Sequence, residues 1–96
     1  MRNITSKAIE AFNSARNFKN GNTEVKSESG ITTLSLHGNT IARKDAVGLS
    51  INLCGWNTNT TRERLNGLPN VSVSTRKGQA FLNGVAIPSN GWVFVG

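Results

Sequence analysis

The stretch Gly55-Trp56-Asn57-Thr58-Asn59-Thr60-Thr61-Arg62-Glu63-Arg64-Leu65-Asn66-Gly67-Leu68 carries both a helix start and a helix stop. Thr60 stands three residues before Glu63, the spacing of a capping box. In that motif the hydroxyl accepts from an N–H of the first turn, and the carboxylate reaches back to the N–H of the cap. Gly67 permits a left-handed turn, and Pro69, lacking an N–H, prevents continuation. A short helix bearing Arg62 and Arg64 is therefore expected in the middle of a chain otherwise patterned as strands. Trp56 is expected to be buried against Leu65 and Leu68, joining this helix to the strand over 49–53.

Working outward, the N-terminal side opens with a second helix. Ile4, Ala8, Ala11, Phe12 and Ala15 recur at helical spacing, with Asn3 or Thr5 as cap and an end near Arg16. Phe18 is expected to fold back onto the same apolar face. Lys19-Asn20-Gly21-Asn22 reads as a turn, after which the period changes to two. Thr23–Glu28 reads as a polar, edge-like strand anchored by Val25. Ser29-Gly30 turns the chain into 31–37, and Gly38-Asn39 turns it again into 40–44. Leu49-Ser50-Ile51-Asn52-Leu53 alternates most cleanly.

Beyond the central helix, Val71-Ser72-Val73-Ser74 alternates too. Lys77-Gly78 and Asn83-Gly84 are hairpin dipeptides, and Trp92-Val93-Phe94-Val95 closes the chain as an apolar strand. Turns follow one another too closely for crossover helices, so the sheet is expected to be mainly antiparallel. The resulting expectation is an α+β fold in which residues 1–96 form one small domain. Six to eight short strands would make a meandering sheet with two helices packed on one face.

Composition narrows the function. The 96 residues are 36% hydrophobic, with eleven basic and five acidic side chains and a net charge of +6. Such a balance favours nucleic acid or an acidic protein surface, and it argues against a DNA mimic. No stretch approaches the ~20 apolar residues that span a bilayer. Met1–Lys7 lacks the apolar core of a signal peptide, so a cytoplasmic site of action is expected. The single cysteine, Cys54, excludes an internal disulfide and makes a cysteine-based zinc site implausible. It is expected to be a small, partly buried residue at a strand end.

Reaction chemistry is poorly provided for. The one histidine, His37, lies beside Gly38-Asn39, where a histidine commonly serves the turn backbone. The carboxylates Glu10, Glu24, Glu28, Asp45 and Glu63 are dispersed, whereas acid–base work needs titratable groups at close range. No phosphate-binding glycine loop or metal-ligand cluster is visible. The expectation is a protein that is not an enzyme and uses no cofactor or metal. The basic residues are the better lead. Arg43 with Lys44, Arg62 with Arg64, and Arg76 with Lys77 sit at a strand end, on the central helix and at a hairpin tip. Gathered on one side, they would neutralise several phosphates. Arg62 and Arg64 lie about 200° apart around a helix, so at most one would point at a flat partner. The aromatic residues Phe12, Trp56, Phe81, Trp92 and Phe94 are expected to be used up in the core, which weakens the case for single strands stacked on exposed rings.

The spacing of Asn22-Thr23, Leu36-His37-Gly38-Asn39-Thr40-Ile41-Ala42, Gly55-Trp56, Thr60-Thr61-Arg62-Glu63-Arg64-Leu65-Asn66, and Gly78 with Leu82-Asn83-Gly84 resembles a family of small proteins of tailed bacteriophages. The resemblance spans most of the chain. It implies expression in an infected bacterium, and it carries over no activity, cofactor or site residue. Two functions follow as expectations. In the favoured one, a phage accessory protein binds and modulates, by inhibition, a host protein or ribonucleoprotein machine, such as a polymerase or an anti-phage defence complex. The exposed edge of Thr23–Glu28 would then be open to a partner strand. In the other, the protein binds DNA or RNA directly, without sequence specificity. Its helix–strands–helix order is loosely similar to double-stranded RNA-binding modules, from which the later strands depart. Salt separates the two, since contact with six phosphates would weaken binding roughly 10³-fold between low and moderate salt.

Overall fold

The computed structural model describes residues 3–96. Met1 and Arg2, part of the stretch read above for a leader, lie outside the described residues. Two helices and nine strands follow one another as α1 (Asn3–Asn13), β1 (Phe18–Asn20), β2 (Thr23–Glu28), β3 (Ile31–Leu36), β4 (Asn39–Lys44), β5 (Leu49–Ile51), α2 (Asn59–Leu65), β6 (Val73–Arg76), β7 (Gln79–Leu82), β8 (Val85–Ile87) and β9 (Val93–Phe94). The fold is α+β and every strand pairing is antiparallel. The strands form two sheets rather than the single expected meander. One has the order β1-β2-β3-β4-β5-β9 and the other β6-β7-β8. The helical interruption at α2 separates them. The chain resumes as its own three-stranded unit, and only its last segment returns to the larger sheet.

Tight hairpins set the register. His37 and Gly38 have φ of 51° and 79°, and Asn83 and Gly84 have 50° and 86°. Left-handed backbone at both central residues is the type I′ geometry, whose twist matches that of the flanking strands. Ser29-Gly30 and Lys77-Gly78 do the same. The β3–β4 turn therefore sits one residue earlier than Gly38-Asn39.

Direct cross-strand partners share a face, so the register defines two surfaces. The inner one carries Val25, Leu34, Ala42 and Ile51. Between β3 and β4 the register shifts at Leu34/Ser35, leaving Ile41 as an extra residue. This bulge turns both Ile41 and Ala42 inward. α1 packs on β1, β2 and β3 through Ala8, Ala11 and Phe12, while α2 reaches α1, β4 and β6. Asn66 ties α2 to the small sheet, accepting from Val73 N–H at 2.6 Å and donating to its carbonyl at 3.0 Å.

Several local expectations change. β2 is an interior strand, because the unforeseen three-residue β1 pairs with it and forms the edge. Phe18 belongs to β1 and is half-buried. α1 ends at Asn13, short of Arg16, in a Schellman motif. There Ala15 has φ 54°, Arg16 N–H reaches Ala11 O at 2.9 Å, and Ala15 N–H reaches Phe12 O at 3.3 Å. An alanine in this left-handed position is strained. Ala15→Gly should raise stability by about 0.5–1 kcal/mol, read as a higher urea midpoint at unchanged slope.

The cap of α2 is Thr58, not Thr60. Its hydroxyl accepts from Thr61 N–H at 3.2 Å. Glu63 is drawn instead towards α1, where its carboxylate accepts from the Thr5 hydroxyl at 2.5 Å. Gly67 is not left-handed either. A Cβ there would stand 2.6 Å from Ile9 Cγ1, so the glycine permits the close approach of the two helices.

Candidate nucleic-acid interface

The six cations singled out from the sequence do not form one patch. Arg43 and Lys44 project to opposite faces of the large sheet, as neighbours on a strand must. Arg64 is 2% exposed and structural. Its Nε donates to Thr23 Oγ1 at 3.2 Å and its Nη1 to Thr5 Oγ1 at 2.5 Å, with a further bond to the Glu63 carboxylate. Thr23 in turn donates to Asn22 Oδ1 at 2.9 Å, and Asn22 Nδ2 faces His37 Nε2 at 3.2 Å. This chain of polar contacts joins both helices to β2 and the β3–β4 turn.

Arg62 belongs to another neighbourhood, at the entry to α2. Arg62 Nη1 donates to the Asn57 carbonyl at 2.9 Å and to Asn57 Oδ1 at 2.5 Å. Asn57 Nδ2 donates to Thr75 Oγ1 at 3.1 Å, whereas Arg76, the next residue of β6, projects to the opposite face of the small sheet beside the Lys77-Gly78 turn.

The aromatic expectation changes most. Phe12 is buried, but Trp56, Trp92 and Phe94 are 59%, 49% and 58% exposed. Trp56 leaves the core because Cys54 and Gly55, at φ 57° and 78°, reverse the chain between Leu53 and Trp56. The Trp56 N–H closes this turn on Leu53 O at 2.9 Å. Cys54-Gly55 thus repeats the pattern of Lys77-Gly78, a signal present in the sequence. Leu65 and Leu68 are buried without the indole. Cys54 is half-buried and donates to Thr40 O at 3.1 Å, and burial raises its thiol pKa.

The outer face of the large sheet is where exposed rings and cations meet. Register places Lys26, Thr33, Arg43, Ser50 and Phe94 in one row across β2, β3, β4, β5 and β9. Lys19, Glu24, Ser35 and Thr40 form the neighbouring row. Trp92 precedes Phe94 by two residues, while Val93 and Val95 pack against the core. Lys26 lies 3.9 Å from Glu24, and Arg43 lies 3.4 Å from Asp45. In both pairs the cation is exposed and the carboxylate half-buried, and surface pairs of this kind contribute little. Hydroxyls, cations, the Glu24 carboxylate and two aromatic rings share this face.

On the inner side of the sheet, between the β3–β4 turn and the segment leading into α2, lies a cleft of about 520 Å³ floored by Leu36, Ile41 and Leu53 and walled by Trp56. Among the described residues, no group of three His, Cys, Asp or Glu side chains converges as a metal site. Nor is any helix there long and apolar enough to cross a membrane. No curated protein and no solved structure matches the chain. Residues 1–94 match the model of the Kyanoviridae Gp96 protein family, and the chain therefore belongs to this family of tailed-phage proteins, as the spacing of its motifs implied.

Proposed function

We propose that this phage protein works by contact in the cytoplasm of the infected cell, holding a single nucleic-acid strand on the outer face of its large sheet. The strand would be free, or would be the RNA of a host ribonucleoprotein machine whose action the protein then modulates. One observation carries the reading: the row Lys26–Thr33–Arg43–Ser50–Phe94, flanked by Trp92, sets exposed rings and cations on one open face. Rings on strands stack bases of any sequence, while cations and hydroxyls hold the backbone. The weight given above to a host protein rested on aromatic residues being consumed by the core, and that support is gone.

The test is fluorescence anisotropy with a labelled single-stranded oligonucleotide. Lys26→Ala with Arg43→Ala, and separately Trp92→Ala with Phe94→Ala, should each weaken binding while leaving the fold intact. Loss of stacking is worth about 1–3 kcal/mol per base. Wild-type affinity in both double variants would remove the proposal. A second reading, a direct host-protein interface, is supported by the same exposed tryptophans, since Trp is enriched among residues that dominate binding. Recovery from infected cells of a host complex that survives nuclease treatment would favour it.

A further inference from the structure

We infer that the cleft walled by Trp56 is a second site, which takes the planar ring of a nucleobase and directs its phosphate towards Arg62. This goes beyond the sheet-face reading and does not rest on it, since none of the lining residues belongs to the outer rows. The volume of about 520 Å³ lies within the range of small-ligand sites. Its floor is apolar and closed, because Leu36, Ile41 and Leu53 are buried and the β4 bulge delivers Ile41 to it. Above that floor the Trp56 indole presents a free face, and every base offers a complementary π-surface.

Polar groups on the rim are of the kind that read a ring edge. The hydroxyls of Thr58 and Thr61 bond to each other at 3.0 Å and are occupied. Among the described residues, the Thr60 hydroxyl and the Asn39 carboxamide make no side-chain hydrogen bond, which leaves both donors and acceptors for the ligand. No carboxylate lines the cleft. Arg62 rests on Asn57, which stands between the lining residues Trp56 and Thr58, and also donates to Asn59 Oδ1 at 2.5 Å. All its acceptors are neutral oxygens. Among the described residues, no ion pair involves Arg62. Positive charge beside a ring-sized, carboxylate-free cleft complements a nucleotide.

The chain has two tryptophans, so Trp92→Phe leaves Trp56 as the sole indole reporter. In that background, each nucleoside 5′-monophosphate and a short single-stranded oligonucleotide are titrated while Trp56 emission is followed. Saturable quenching is expected. Similar saturation by free nucleotide and oligonucleotide identifies a free nucleotide as the ligand, and much tighter saturation by the oligonucleotide identifies a base within a strand. By calorimetry, Trp56→Ala should weaken the interaction about 5- to 100-fold, and Trp56→Phe should keep most of it. Because the indole is exposed, Trp56→Ala should retain the parent circular dichroism and melt close to it. Arg43→Ala and Phe94→Ala should leave quenching by free nucleotide unchanged, so failure at the cleft is distinguishable from failure at the sheet face. Absence of quenching by every nucleotide and by the oligonucleotide overturns the inference. So does competition by ribose 5-phosphate, which has no ring, as effective as that of the nucleotide.

Discussion

Arg64→Ala should lower the unfolding free energy by about 3–5 kcal/mol, a large part of the roughly 5–15 kcal/mol available to a small domain. The guanidinium is buried and satisfies Thr5 of α1, Thr23 of β2 and the Glu63 carboxylate at once. Truncation leaves a void, removes the donor from two buried hydroxyls and takes a cation away from Glu63. Arg64→Met separates these causes. It fills most of the space but, like alanine, removes the charge and the donors from Glu63, Thr5 and Thr23. Methionine should therefore recover only the part of the loss that comes from the void. Arg64→Lys keeps the charge but not the planar fork, and should lose less than alanine. Urea unfolding at constant slope is the appropriate measurement. An alanine variant within about 0.5 kcal/mol of the parent would contradict the structural role assigned to Arg64.

What the sequence disclosed follows the range of the interactions involved. Two-residue turns at Ser29-Gly30, Lys77-Gly78 and Asn83-Gly84 were legible because the geometry of a type I′ turn is written in adjacent residues. The alternation of Leu49 and Ile51 was legible for the same reason. The cap of α2 was not. Thr58 precedes Thr61, and Thr60 precedes Glu63, by the same interval, and the choice between them depends on Thr5 and Arg64 holding the carboxylate. Arg64 read as a surface cation because its partners Thr5 and Thr23 are remote in the chain. β1 was hidden because three residues give too short a pattern to show a period.

The candidate site was only partly visible, for related reasons. Arg43 and Lys26 carry charge wherever they fall, so their types were legible. That Arg43 faces Thr33 and Ser50 and shares a row with Phe94 required the register. Trp92 and Phe94 looked like core residues because their strand is apolar throughout. Their exposure follows from β9 being the sheet edge, where only Val93 and Val95 find a buried face. The cleft depends on the bulge at Ile41 and on the turn at Cys54-Gly55, two backbone features with no apolar periodicity to mark them.

The second large effect is the dependence of strand binding on salt, and it tests the sheet-face account most directly. The outer face offers three cations, Lys19, Lys26 and Arg43, rather than the six that one collected patch would provide. At about 0.7 per neutralised phosphate for single strands, log K should fall against log salt with a slope near −2. Between 50 and 200 mM salt this amounts to a loss of about 20-fold. Anisotropy of a labelled single strand across that range should give this slope, and it should flatten towards −0.7 when Lys26 and Arg43 are both replaced by alanine. A slope near zero, or one unchanged by those substitutions, would contradict the account.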